Sequence, residues 1–192
     1  MKKFLFSLLL VVMFVMPSFS SNMYIDLYGL VSQRDKIVQD KEALFAYGGG
    51  VRFAWNFWDD FNIIAAGEYA SKKRDYDAPP VTHIEYTYMS FLGGLEYIYP
   101  IWERFKLQAA VMAGYAHNVL DNEDGKLGIG ATILYGEVGI QYDLSQNISP
   151  FLTAGYHYNI MHTDEFGKDR MLGYDIHLGI RFVLGTNKSI YD

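Results

Sequence analysis

Leu44-Phe45-Ala46-Tyr47-Gly48-Gly49-Gly50-Val51-Arg52-Phe53-Ala54-Trp55-Asn56-Phe57 reads as one long β-strand. Phe45, Tyr47, Val51, Phe53, Trp55 and Phe57 fall on one phase, with Ala46, Gly48, Gly50, Arg52, Ala54 and Asn56 between them. A period of two is a strand's, because successive side chains point to opposite faces. The stretch exceeds the ~5–6 residues usual in globular sheets and matches a tilted strand that crosses a bilayer. The same alternation returns near the other end of the chain, at Leu172, Tyr174, Ile176, Leu178, Ile180, Phe182 and Leu184, with Asp175, His177 and Arg181 on the opposite phase. One face is apolar and the other ionic. A soluble sandwich would turn the apolar face to a core, and a membrane barrel would turn it to lipid.

Working outward, two features favour the barrel. Tight connections near Trp58–Asp60, Pro100–Arg104 and Asp143–Asn147 alternate with longer charged stretches at Ser32–Ala43, Lys72–His83, Asn118–Lys126 and Met161–Met171. Short turns on one side and long loops on the other are the layout of outer-membrane barrels. Phe57, Trp58, Phe61, Tyr97, Tyr99, Trp102, Phe105, Tyr142 and Phe182 gather near the tight turns, as an interfacial aromatic girdle does. The connections delimit strands at 23–31, 44–57, 61–71, 84–98, 105–117, 128–142, 149–160 and 172–184. Eight is an even number, as an antiparallel barrel of this kind requires. The expected fold is therefore all-β: an eight-stranded antiparallel up-and-down transmembrane barrel. A soluble eight-stranded barrel of the lipocalin kind also alternates, but turns its apolar face inward around a ligand. From Leu127 to Ile133 the apolar phase switches relative to Glu137 and Gln141 lower in the same strand, which predicts a bulge or an extension beyond the membrane.

The start of the chain fits export. Lys2 and Lys3 precede an apolar run from Phe4 to Met16, a helix-breaking Pro17, and small residues at Ser18 and Ser20. This predicts a signal peptide over 1–20, cleaved before Ser21 or one residue later. The run is too short to span a bilayer comfortably as an anchor. The barrel then occupies 21–184 and a short C-terminal tail 185–192. Hydrophobic residues are 51% of the chain, yet beyond the leader no uninterrupted apolar run approaches the ~18 residues of a transmembrane helix. Sixteen basic against 22 acidic residues give a formal charge of −6. Losing Lys2 and Lys3 takes it to about −8, which argues against nucleic acid as a partner. With no cysteine, there is neither a disulfide framework nor a lipoprotein anchor.

His177-Leu178-Gly179-Ile180-Arg181-Phe182-Val183-Leu184 resembles the C-terminal assembly signal of outer-membrane proteins, with His177, Gly179, Phe182 and Leu184 at its key positions. With the leader, hairpin layout and length, the mature chain resembles the small barrels of the OmpX, OmpW and OmpA membrane-domain type. The likeness is one of pattern and not of residue identity. It implies a bacterial outer-membrane location, with the long loops extracellular and the tight turns periplasmic. It also implies recognition by the barrel-assembly machinery and periplasmic chaperones, and a monomer embedded in outer-membrane lipid. The tail 185–192 departs from the pattern, since most such barrels stop at the final aromatic residue.

The strand phases point Asp26, Arg52, Glu68, Glu96, Lys106, Glu137, Asp175 and Arg181 into the lumen, with Gln108, Gln141, His157 and His177 among them. An eight-stranded barrel is only about wide enough for side chains, so these charges must pair with one another, as an ionic plug. Arg52 and Glu68 lie at similar heights from one turn, which predicts a bridge between them. The small inward residues Ala46, Gly48, Gly50, Ala110 and Gly114 predict a cavity in the half nearer the loops. Three functions are open: surface interaction or envelope structure through the loops, with host or surface ligands as partners; a narrow passive channel for small or hydrophobic solutes; and, remotely, a lipid-modifying enzyme. For the last, Gly155-Tyr156-His157-Tyr158-Asn159 lacks the serine of the His-x-Ser-Asn pattern of lipid A deacylases. His157, His162 and His177 lack ligand-like spacing, and Asp121, Glu123 and Asp124 before Gly125 do not form the twelve-residue calcium loop. No cofactor, metal or catalytic residue is expected.

Overall fold

A computed structural model describes residues 23–34, 44–75, 83–122, 125–161 and 170–184. The expected signal peptide, the tail, His162, Glu123 and Asp124 lie outside the described residues. Eight strands follow one another: β1 (Met23–Arg34), β2 (Leu44–Trp58), β3 (Phe61–Asp75), β4 (His83–Pro100), β5 (Phe105–Asn122), β6 (Gly125–Tyr142), β7 (Ile148–Met161) and β8 (Arg170–Leu184). Each pairs antiparallel with the next, and β1 pairs with β8 to close the barrel. Closure leaves no strand edge without a partner, which a backbone in lipid requires.

The alternation has the physical consequence the sequence implies. Phe53, Phe91, Val111, Val138 and Leu178 on the outer wall are each more than half exposed, while Asp26, Arg52 and Arg181 on the inner wall are fully buried. An outer surface this apolar faces lipid. At the turn end its rim carries two runs of rings, Trp58–Phe61–Tyr97–Tyr99 and Trp102–Phe105–Tyr142, with neighbouring centroids 4.8–6.5 Å apart. A second girdle, not anticipated from the sequence, lies toward the loop end: Tyr47, Tyr69, Tyr115, Tyr156 and Tyr174 are all exposed, and the last two rings are 5.1 Å apart. At the β2–β3 turn Asp59 adopts φ 48°, a left-handed conformation rare for a non-glycine residue. The Asn56 amide holds it, donating to the Asp59 and Phe61 carbonyls and to Asn62 Oδ1.

One expectation is corrected and one is narrowed. The stretch Asn118–Lys126 is not a long loop. β5 and β6 continue to Asn122 and from Gly125, each 18 residues long, nearly twice the ~9–11 needed to cross a bilayer. The charges that read as loop are cross-strand partners: Asp121 lies opposite Lys126 at 3.5 Å, as Lys73 lies opposite Glu85 at 3.0 Å on β3 and β4. Of the two alternatives for Leu127–Ile133, a bulge or an extended strand, the structure has the extended strand: β6 runs through it with unbroken pairing to β5. Ile129 and Ile133 simply face inward and are buried. They pack with Leu30, Tyr86, Tyr88, Ala116 and Ala131, an apolar cluster that shares the loop half of the lumen with the buried Ser32, Asn118, His157, Asn159 and Asp175.

Candidate functional site

Register builds the ionic half. Asp26 on β1 lies opposite Arg52 on β2 and Arg181 on β8, so one carboxylate stands between two guanidiniums across the seam where the barrel closes. Arg181 donates through Nε and Nη2 to the two Asp26 oxygens, 2.7 Å each, and through Nη2 to Glu96 Oε1 at 2.7 Å. Its Nη1 reaches Gln141 Oε1 at 3.2 Å. Bidentate contact of this kind is the strong form of an arginine–carboxylate pair. Arg52 Nη2 lies 2.6 Å from Glu137 Oε1, and its Nη1 is 3.6 Å from Glu96 and 4.0 Å from Asp26. Asn62 donates to the other Glu96 oxygen at 2.8 Å.

A second tier sits nearer the loops. Glu68 accepts from the Tyr28 and Ser90 hydroxyls at 3.0 Å each, and Glu137 accepts from Thr153 at 3.2 Å and Tyr135 at 3.3 Å. His177 lies between them, 3.2 Å from Glu137 and 3.7 Å from Glu68. His157 Nδ1 meets Asp175 at 2.9 Å. The expected Arg52–Glu68 bridge does not form. Glu68 pairs in register with Gly50, while Arg52 stands opposite Ala66, so the two are offset by one inward position, and Arg52 reaches across the lumen to β6 instead. Lys106 lies on the inward phase, opposite Gln141, but at the mouth of the lumen and apart from the arginine layer. It is a quarter exposed at the turn end, and its ammonium contacts Asp143 at 2.6 Å.

At Gly50 the space expected beside the small residues is filled by a ring. Tyr28 lies against Gly50, where an added Cβ would stand 2.6 Å from the ring, and Gly179 faces both Tyr28 and Phe151. Tyr135 covers Gly155, and His157 covers Gly173 in the same way. The glycines are seats for rings from nearby strands, so removing side-chain volume at one position admits it from another. The sequence reveals the small residues but not which ring fills each space.

A cavity of about 930 Å³ does exist at the turn end. Tyr24, Asn62, Lys106, Gln141, Asp143 and Ser149 are among its lining residues, and Asn62 and Gln141 join its roof to the Glu96–Arg181 layer. The charged turns were its only sequence signal. Burial raises the Asp60 carboxyl above the usual range, with the neighbouring Asp59 charge adding to it. Asp143 behaves oppositely. Burial alone would push its carboxyl up, but hydrogen bonds from Lys106, Gln141 and Ser149, and the Lys106 charge, outweigh this and hold it below the usual range. A lowered folded-state value gives stability that is present above the unfolded value of ~3.9 and lost as pH falls through the folded one. Asp143→Asn is therefore expected to destabilise the barrel near pH 7 and to match the parent protein by about pH 2, in urea titrations at both pH values. A gap that stays constant would assign the loss to geometry.

No family model matches the chain, and no curated protein does. Solved structures do resemble it. Neisserial surface protein A superposes with a TM-score of 0.63 at 13% identity, covering 83% of this chain and 96% of that one. Ail, the attachment invasion locus protein of Yersinia pestis, gives 0.59 at 16%, covering 86% and 100%. OprG, an outer-membrane protein of Pseudomonas aeruginosa, gives 0.53 at 12%, covering 87% and 97%. At these identities the shared property is the fold: this chain has the eight-stranded architecture of the small outer-membrane barrels.

Proposed function

We propose that the protein is a bacterial outer-membrane barrel with a plugged lumen, whose working part is its loop-end surface, in surface interaction or envelope structure. The observation that carries this reading is the pair of fully buried arginines, Arg52 and Arg181, each tying carboxylates from different strands across the lumen. A packed layer of fixed charges closes the path that a conduit needs. Two of the similar structures, a surface protein and an attachment protein, support the same reading. In this orientation the tight turns are periplasmic, and the tall β5–β6 hairpin stands outside the cell. The β8 segment with His177, Gly179, Phe182 and Leu184 serves as the assembly signal for the barrel-assembly machinery. His157 faces the lumen and Asp175, not the outer leaflet, which argues against lipid chemistry there.

The turn-end cavity favours one second reading, a narrow channel entered from the periplasm. Single-channel recording of the refolded barrel in planar bilayers separates the two. The plug predicts a silent membrane from protein whose gel band shifts on heating. Reproducible steps that change in Arg52→Ala would make the lumen a conduit.

A further inference from the structure

We propose that residues 185–192, which lie outside the described residues, fold back across the mouth of the turn-end cavity, with Lys188 at Asp59 and Asp60 and with Ile190 and Tyr191 on its apolar wall. The cavity measures about 930 Å³, and that wall includes Ile98, Ile101, Trp102 and Leu144. The last three are 44–74% exposed, so apolar surface at the mouth has no cover from the strands and turns. Seated there, the segment covers the Asn62 and Gln141 roof and takes the space that the channel reading needs.

The exit of the segment is fixed beside that mouth. β8 ends at Leu184, opposite Met23. Val183, which lines the cavity, is pinned to the β6–β7 turn: its N–H donates to the Asn147 carbonyl at 3.0 Å, and its carbonyl accepts from the Asn147 amide at 3.2 Å. Gly185 comes next in the chain, and glycine allows the sharp change of direction that leads inward.

Charge gives the direction. All three tight turns are among the described residues, and around the cavity they and the strand ends set Asp59, Asp60, Glu103 and Asp143 against Arg104 and Lys106. Lys106 is bound to Asp143 at 2.6 Å. No ion pair among the described residues reaches Asp59 or Asp60, and burial and the Asp59 charge together raise the Asp60 carboxyl by more than the Lys106 charge lowers it. Going round the rim from β8, the first turn met beyond β1 and β2 is that of Asp59 and Asp60, and the next, beyond β3 and β4, carries Arg104. The segment bears its charges in the matching order, Lys188 and then Asp192. At ~4.8 Å between strands, the first turn lies roughly 10–12 Å from Leu184 and the second about 10 Å further, while four extended residues span ~13 Å. A tether this short holds its groups at an effective concentration of order millimolar, so weak contacts suffice.

The chain has no cysteine, so a pair introduced into the full chain reports a single contact. In the refolded barrel, with diamide as oxidant, Ser189→Cys is expected to bridge to Ile101→Cys, inside the mouth, about tenfold faster than to Trp58→Cys. Trp58 is nearer the exit around the rim but stands on its outer side, stacked on Phe61. Lys188→Glu should slow the inner bridge about fivefold, and Asp60→Lys in that background should restore it. Asp60→Asn alone should slow it as well, and serves where Asp60→Lys impairs folding, which the heat-shifted band reports. Equal rates for the inner and outer bridges would overturn the proposal. So would an inner bridge indifferent to both Lys188→Glu and Asp60→Asn.

Discussion

Arg181→Met is expected to lower folding stability by about 3–5 kcal/mol, the cost of leaving buried carboxylates without their cation. Among the described residues the lumen buries five carboxylates, Asp26, Glu68, Glu96, Glu137 and Asp175, against two guanidiniums. Taking away Arg181 strips Asp26 of both bidentate bonds and Glu96 of its shortest one, and leaves Arg52 as the one remaining guanidinium. The loss should be read in equilibrium folding into vesicles, and a charge origin has its own signature. Adding Asp26→Asn to Arg181→Met should recover part of the loss, although it removes yet another polar partner. Arg181→Lys should fall between, because an ammonium keeps the charge but not the planar fork. Failure of Asp26→Asn to recover anything would assign Arg181 a packing role.

The second large effect is on the opposite face. Leu178 is 66% exposed on the outer wall, between Tyr174 of the loop-end girdle and Phe182 at the turn end, so Leu178→Arg should cost roughly 2–4 kcal/mol near the bilayer midplane. Depth is the control. Leu144 is similarly exposed at 64% but lies in a tight turn, so Leu144→Arg should cost about 0–1 kcal/mol, as interfacial positions do. Equal damage from Leu178→Arg and Leu144→Arg would mean that lipid depth does not set the cost. Gln141, which the strand pattern places on the inner wall, is not a mild site. It accepts from Arg181 and donates to Asp143, so a substitution there reaches both the network and the turn.

Strand number, phase and pairing order were legible because each follows from local alternation and from the sizes of the connections. Arg52 and Arg181 could be set on the inner wall for the same reason. Partner choice was not legible, since Arg52 pairs across the lumen with Glu137, a contact decided by barrel shear and by which rings leave space. The loop ends of the strands run further than their charge suggests, because charge marks a loop only where it is unpaired: Lys73 with Glu85, and Asp121 with Lys126, are pairs that hold strands together toward the loops. The apolar Ile129 and Ile133 misled in the other direction. A lumen need not be polar at every inward position when apolar side chains such as these pack against one another.

The bond between Asp26 and Arg181 joins side chains 155 residues apart, on the first strand and the last. Loop-closure entropy makes such a contact slow to reach, and the order of events follows. A half-built sheet holds Asp26 and Glu96 with Arg181 still distant, and burying them then is unfavourable, so their desolvation waits for the final strand. The charges thus act as a latch on completion: until β8 docks, the inside of the sheet favours water, and the barrel commits to its lipid environment only when both ends of the chain are in place.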